Sequence, residues 1–409
     1  MKNRQASLVF IFITILVDVI GIGIILPVIP TLIQNLTGEG LGDAARWGGW
    51  LMASYAIVQF FFAPVLGELS DKYGRRPVLL ISLFGLGLDY IFHALAPTIG
   101  WLFVGRILAG ITGASHTVAT AYIADISTKE NKANNFGMVG AAWGLGFIIG
   151  PVVGGYFCQW GVQVPFFVAA GVTLLNFAYG LIFVPESLPR EKRRVVRYAK
   201  MIPGVSIAHL GTYVGLGALI AAIFMANIAG HVIPCSWSFF TMESFAWTES
   251  QVGYSLATIG LLVAVVQLSL IGWSVKRFGS KNVIMTGFIL NAVGMMLFCL
   301  ALEGWMIYIF LVPYILGGIA GPTLQSVTSN SVPDTQQGNL QGALTSLVNV
   351  TLIISLLLYP NVFYVFTSDD YSYYFPAAPF VVATCFLAIA CVVLFFALKK
   401  LDFSYEKTR

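Results

Sequence analysis

The sequence predicts an all-α membrane protein of twelve transmembrane helices in two six-helix bundles. Composition, the spacing of apolar stretches and the placement of charge predict it independently. Of 409 residues, 58% are hydrophobic and only 10% charged, where an ordinary soluble domain carries about 25% charged residues. A mean hydropathy of +0.84 and 31 Phe exclude a soluble multi-domain enzyme, a disordered chain, a coiled coil and a disulfide-stapled secreted fold. A spanning helix needs about 20 apolar residues, so the chain has room for about twelve with short connections.

Taken in order, the apolar stretches fall at 8–34, 46–67, 78–97, 100–124, 135–158 and 164–184, then at 207–240, 250–274, 283–302, 304–330, 339–366 and 373–398. The first follows Lys2 and Arg4, is too long for a signal-peptide core and lacks a small-residue cleavage site, so it reads as a retained first helix. The expected division is an N-terminal bundle over 1–184, a basic linker over 185–206 and a C-terminal bundle over 207–409.

Charge tests this layout. With the N-terminus cytoplasmic, the cytoplasmic segments hold 20 of the 22 Lys and Arg, leaving only Arg46 and Arg106. The outer loops hold Glu39, Asp43, Glu243, Glu249, Glu303, Asp369 and Asp370. This is the positive-inside pattern, and it predicts a multi-pass protein with both termini cytoplasmic. Arg190, Lys192, Arg193, Arg194, Arg197 and Lys200 make the linker basic. That could serve nucleic acid or lipid headgroups, but a solvated tether that fixes topology is the expectation.

Half the chain length relates two turns. Gly67-Glu-Leu-Ser-Asp-Lys-Tyr-Gly74 superposes on Gly272-Trp-Ser-Val-Lys-Arg-Phe-Gly279, each joining the second and third helices of its half. Parallel repeats of six helices are a transporter architecture, with the substrate between the halves.

Only Asp18, Asp89 and Arg106 place charge well inside the spans. At a rise of 1.5 Å per residue, the two carboxylates lie roughly 15 and 17 Å into their helices. Charge at that depth is costly and marks a functional position by default. Asp18 and Asp89 are therefore candidate proton sites, with a buried structural ion pair to Arg106 as the alternative. Gly21, Gly23, Pro27 and Pro30 after Asp18 suit a helix that bends beside a cavity. In the turn Gly67 to Pro77, Asp71 sits among Lys72, Arg75 and Arg76, and Gly74 permits the tight bend; a cytoplasmic gate is the reading. Span 5 carries Gly144, Gly146, Gly150-Pro151 and Gly154-Gly155, small residues that allow close helix approach and a proline that bends. Gln59, His116, His231, Gln267, Asn291, Gln325 and Gln341 are candidate substrate contacts, although such groups often only bond neighbouring helices. His93 and His209, near span ends, are weaker candidates. Trp101, Trp305 and Tyr373 read as interfacial anchors. Cys158, Cys235, Cys299, Cys385 and Cys391 show no metal-ligand spacing and read as small buried hydrophobes.

These motifs resemble the major facilitator superfamily, and within its drug/proton antiporter branch the bacterial tetracycline exporters. The resemblance runs through Asp18-Val-Ile-Gly-Ile-Gly23, Leu26-Pro-Val-Ile-Pro30, Ser54-Tyr-Ala to Gln59, Ala63-Pro64 and Gly67 to Asp89-Tyr90. It continues through Gly105-Arg106, Gly110-Ile-Thr-Gly113-Ala, Ile123-Ala-Asp125, Gly150-Pro151-x-x-Gly154-Gly155 and Gln336-Gln337-Gly338-x-Leu-Gln341-Gly342. It implies the major facilitator fold, proton coupling and gating through Asp18, Asp89, Arg106 and Asp125, a gate motif at Asp71, Arg75 and Arg76, and export of a small molecule in exchange for protons. Two positions depart from the group: Asn291 replaces an acidic residue in helix 9, and Val263 replaces a histidine in helix 8. An amide neither titrates nor ligates a metal as a carboxylate does.

The expected function is a secondary transporter working by alternating access: a proton-coupled antiporter that exports an amphipathic drug-like compound from the bacterial inner membrane. It is expected to be no enzyme, to be monomeric in the lipid bilayer, to hold no cofactor or metal and to bind no nucleic acid. The alternative is a proton-linked importer or exporter of a metabolite or metal chelate such as a siderophore. A membrane enzyme or sensor would need a catalytic constellation that the sequence lacks.

Overall fold

The computed structural model describes residues 2–128, 131–196, 201, 216–333, 336–368 and 373–400. Among these, twelve helical segments are long and apolar enough to cross a membrane. They are numbered here as spans 1 to 12: Leu8–Thr37, Leu41–Tyr73, Arg75–Leu95, Ile99–Ile126, Asn134–Cys158, Val164–Phe183, Gly217–Phe245, Glu249–Phe278, Ser280–Phe298, Gly304–Asn330, Leu340–Thr367 and Ala378–Ala397. Among the described residues there is no strand. The chain is thus the twelve-helix membrane protein that the apolar stretches predict.

The apolar stretches hide two features. Helix geometry continues past them into polar sequence, so span 2 runs to Tyr73 and span 3 begins at Arg75. Three spans are also interrupted. Span 4 breaks at Gly113–Ala114, span 7 at His231 and span 10 at Gly318–Ile319. Proline explains two of these breaks, because it removes a donor and its ring meets the carbonyl four residues earlier. Pro234 does so to Gly230, and Pro322 to Gly318. Tyr373 precedes span 12, and His209 lies outside the described residues.

The residues fall into two compact units, one within Met1–Pro203 together with Thr248–Thr258, the other within Gly204–Trp247 and Ile259–Arg409. The first is built around span 1, whose Phe10, Ile11, Ile15 and Val19 are buried with Val78, Leu79, Leu83, Val118 and Tyr122. The second centres on four rings, Trp237, Phe240, Phe298 and Phe380, which meet mostly edge to face with centroids 4.9 to 6.3 Å apart. That spacing and orientation favour aromatic quadrupoles. Outward-facing apolar side chains such as Leu175 and Leu268 suit a lipid surround.

Both repeated turns bend through a glycine at positive φ: Gly74 at 109° and Gly279 at 74°. Each lets the chain leave one long helix and enter the next without an intervening loop. Of the five cysteines only Cys235 is buried; Cys385 is exposed and the other three are half-buried on helix faces, which corrects the expectation of five buried thiols.

Candidate functional site

The polar interior of the first unit is assembled from four spans. Asp89 on span 3 is fully buried, with His93 one turn further on and Arg106 of span 4 beside it. Span 4 can come this close because Gly105 has no side chain; a Cβ there would stand 2.7 Å from Asp89 Oδ1. Arg106 donates through Nε to Asp89 Oδ1 at 3.2 Å and through its terminal nitrogen to Oδ2. His93 Nδ1 lies 2.9 Å from the Asp89 backbone carbonyl and 3.2 Å from Oδ1. The Tyr55 ring lies 5.5 Å from the guanidinium carbon of Arg106, and Gln59 donates to the Tyr55 hydroxyl and the Gly113 carbonyl. Tyr90 reaches across to span 1, its hydroxyl occupying the space that a side chain at Gly21 would fill.

Asp18 on span 1 has different surroundings. Its Oδ1 is buried with no hydrogen-bond partner, and the neighbouring donor is the hydroxyl of Ser115, which opens the second half of span 4. The two aspartates are therefore not equivalent. Asp89 is held as a carboxylate by donors on both oxygens, whereas Asp18 retains an oxygen that a proton would satisfy. The structural alternative considered for Arg106, a buried ion pair, is realised with Asp89.

At the other end of span 3, Arg75 bonds Asp71 at 2.5 Å, the Ser70 hydroxyl at 2.6 Å and Asp125 of span 4 at 3.2 Å. Ser187 also donates to Asp125. Glu186 accepts from the backbone nitrogens of Arg75 at 2.8 Å and Arg76 at 3.2 Å, capping span 3. A carboxylate there meets the first free N–H groups and the positive end of the helix. Gly74 leaves it room, since a Cβ would stand 2.2 Å from Glu186 Oε2. The start of the linker is thus docked on the turn rather than solvated: Tyr122 donates to the Pro185 carbonyl and Arg194 N to the Asp71 carbonyl. Arg197 and Lys200 lie outside the described residues. Gly67, near Thr117, is loosely packed.

On span 5, Gly146, Gly150 and Gly154 form one stripe against span 1. A Cβ on them would meet Val19, the Ile20 carbonyl and the Ile24 carbonyl at 2.5 to 2.6 Å. Pro151 packs on Gly23, and Gly155 meets Glu249 and Ser250 within the first unit. Ser250 donates to the Gly155 carbonyl, and Thr31 donates to Glu249.

The candidate substrate contacts divide between the units. Gln59 joins the cluster just described. His116 is exposed, with its ring 5.8 Å from Trp143. In the second unit, His231 Nε2 lies 3.4 Å from the Thr351 hydroxyl oxygen. Gln325 bonds Gln341 at 3.3 Å, and Gln267 is exposed on span 8. Asn291 donates to the Tyr314 carbonyl at 3.0 Å. The donor that carbonyl would have in a regular helix, Gly318 N, is turned to Ile315 instead, so Asn291 mends the break in span 10.

Sequence reasoning missed Tyr55, Tyr90, Ser115, Glu186 and Ser187 as site members and ranked His93 too low. One signal was available for His93: it falls one helical turn after Asp89, on the same face. None existed for Glu186 as a cap of span 3, because Arg75 and Arg76 lie more than a hundred residues away from it.

Twelve spans, a buried ionic cluster and paired turns are the parts of a membrane transporter for small molecules. The chain belongs to the Major Facilitator Superfamily, whose model matches residues 11–229 and 205–407. It is 39% identical over 359 residues to the class C tetracycline resistance protein of Escherichia coli, covering 88% of this chain and 89% of that one. The class B protein of Escherichia coli is 37% identical, covering 85% and 86%. The fold is that of the D-xylose-proton symporter, with a TM-score of 0.75 at 16% identity and complete coverage of both chains. It is also that of a bacterial homolog of the human lysosomal transporter Spinster, at 0.76 and 15%, covering 97% of each.

Proposed function

We propose that this protein is a proton-coupled antiporter of the bacterial inner membrane that exports a small amphipathic compound of tetracycline-like character. The observation that carries this reading is the inequality of the two buried aspartates. Asp18 has an unpaired carboxyl oxygen and a hydroxyl neighbour, so it is the group that gains and loses the proton. Asp89, fixed by Arg106 and His93, supplies a constant negative charge balanced by the guanidinium. Asp71, Arg75, Arg76, Asp125 and Glu186, with Gly67 and Gly74, form the cytoplasmic gate. Gly146, Gly150, Pro151, Gly154 and Gly155 let span 5 slide closely along span 1 as access alternates. Gln59, His116, His231, Gln267, Asn291, Gln325 and Gln341 are the candidate polar contacts of the substrate. The proton gradient is the energy source, with no resident cofactor or metal, and the working unit is a monomer with both termini in the cytoplasm.

The names of the relatives support tetracycline as the first probe. Proteoliposomes with an imposed pH gradient and tetracycline with Mg2+ test direction and coupling together. Movement of tetracycline against the proton flow, lost in Asp18→Asn, is the expected result. Undiminished gradient-driven flux in that variant discards Asp18 as the proton site. Co-directional movement of substrate and proton favours the importer alternative. Asn291 and Val263 make a metal-free amphipathic compound the second probe, because the second unit lacks the carboxylate and imidazole that the resemblance leads one to expect there.

A further inference from the structure

The second unit is not without a titratable centre. His231 is the middle residue of span 7, with fourteen residues of Gly217–Phe245 on either side. It sits where Pro234 breaks the span, between the half-helices Gly217–Gly230 and Val232–Phe245. Irregular backbone at membrane depth requires replacement donors for its freed carbonyls. Span 11 provides them: Tyr359 donates to the Ile228 carbonyl at 2.9 Å and Ser355 to the same carbonyl at 3.4 Å. Thr351, Ser355 and Tyr359, spaced by one helical turn, are all fully buried.

The imidazole is part of this seam. Its Nε2 lies 3.4 Å from the Thr351 oxygen, whose own proton goes to the Val348 carbonyl at 2.7 Å. The hydroxyl therefore faces the ring with a lone pair, and the Val348 carbonyl is a second acceptor for the same ring. An acceptor-lined setting requires one ring nitrogen to carry hydrogen and leaves the other to take a proton. The titratable groups on the elements packed around it are thiols and phenols: Cys235 one turn along span 7, Tyr308 and Tyr314 on span 10, Tyr359 and Tyr364 on span 11, Cys385 and Cys391 on span 12. The nearest charge on these spans is Glu243, close to the end of span 7. Among the described residues, His231 is the one carboxylate or imidazole in the interior of any span of the second unit.

We propose that His231 is a second proton-binding residue of transport, placed at the break of span 7 so that its charge state is linked to the span 7–span 11 seam. This rests on the antiport reading but concerns a different residue, unit and seam. A neutral ring leaves the Thr351 and Val348 acceptors sharing one N–H. A proton on the second nitrogen gives the ring two donors and a charge. Proton arrival would therefore change the bonding that holds the kink.

The decisive measurement needs no substrate. Protein labelled with 15N-histidine in lipid nanodiscs, with the resonance assigned by its loss in His231→Gln, is titrated from about pH 3 to 8, a range that extends below the one in which free imidazoles change charge. One reversible protonation step at His231 is expected, and an imidazole locked in a single state throughout overturns the proposal. A second arm uses tetracycline with Mg2+ in proteoliposomes. His231→Gln, which keeps an N–H for Thr351 and Val348, should lose accumulation driven by a pH gradient to a far greater extent than it lowers gradient-free exchange of labelled tetracycline. Unchanged accumulation overturns the proposal. An equal loss of exchange overturns it in favour of a substrate contact. Failure of the native protein to carry tetracycline bears on the export reading alone, and the nanodisc titration still decides His231.

Discussion

Asp89 and Asp18 are the same residue type at comparable depth, yet neighbours contributed by other spans give them opposite tasks. Removing one partner of a buried pair leaves an uncompensated charge, which costs about 3–5 kcal/mol. Arg106→Met should therefore lower the thermal unfolding midpoint in detergent sharply, and Asp89→Asn likewise, because each strands its partner. Asp18→Asn should leave the midpoint near that of the native protein, since no donor is bonded to Oδ1, while abolishing gradient-driven transport. A midpoint that falls equally in all three would erase the distinction between a fixed ion pair and a proton site. The carboxylates themselves were legible in the sequence because charge is rare in an apolar run. Arg106 was legible as a counter-charge and His93 as a residue one turn from Asp89, but which aspartate Arg106 takes, and the Ser115 neighbour of Asp18, emerge only through helix packing.

At the scale of elements, close approach and sharp turns place specific demands on glycine. Gly150 has the Ile20 carbonyl and the Gly23 backbone where a side chain would be. Backbone cannot rotate aside as a side chain can, so Gly150→Leu should cost at least the roughly 1–3 kcal/mol of an overpacked core. Gly144, on the same span, faces open space, and Gly144→Ala should stay within about 0.5 kcal/mol. Equal loss of folded protein in both variants, read by size-exclusion of the detergent-solubilised protein, would refute the stripe. At the repeated turns, Gly279→Ala should cost about 1–2 kcal/mol for its left-handed φ. The spacing-four glycines and the paired turns were readable from the sequence. Which glycines face a neighbour, and that spans 4, 7 and 10 break, were not. Hydropathy is blind to a kink that keeps its apolar residues, although Pro234 and Pro322 were in plain view.

At the scale of the molecule, orientation follows from charge alone. With one assignment of sides, 20 of the 22 Lys and Arg fall on a single face of the membrane, and the positive-inside rule predicts that this face is the cytoplasmic one. The odd cation in the interior, Arg106, is neutralised by Asp89, so it places no charge on either face. Two highly exposed positions turn this into a measurement. Val195, 85% exposed, lies in the basic segment after span 6, and Leu302, 84% exposed, lies in the short connection between spans 9 and 10. In a background with the five native cysteines replaced, a membrane-impermeant maleimide should label Leu302→Cys in intact cells and Val195→Cys only after the membrane is opened. Labelling of Val195→Cys in intact cells would invert the topology. It would move the Asp71–Arg75–Asp125 cluster to the outer side and detach the proposed gate from the cytoplasm, whatever the fate of Asp18. Labelling of both positions in intact cells would instead require an even number of spans between residues 195 and 302, against the three that the charges and the helices independently place there; with three spans between them, only one of the two can face outward.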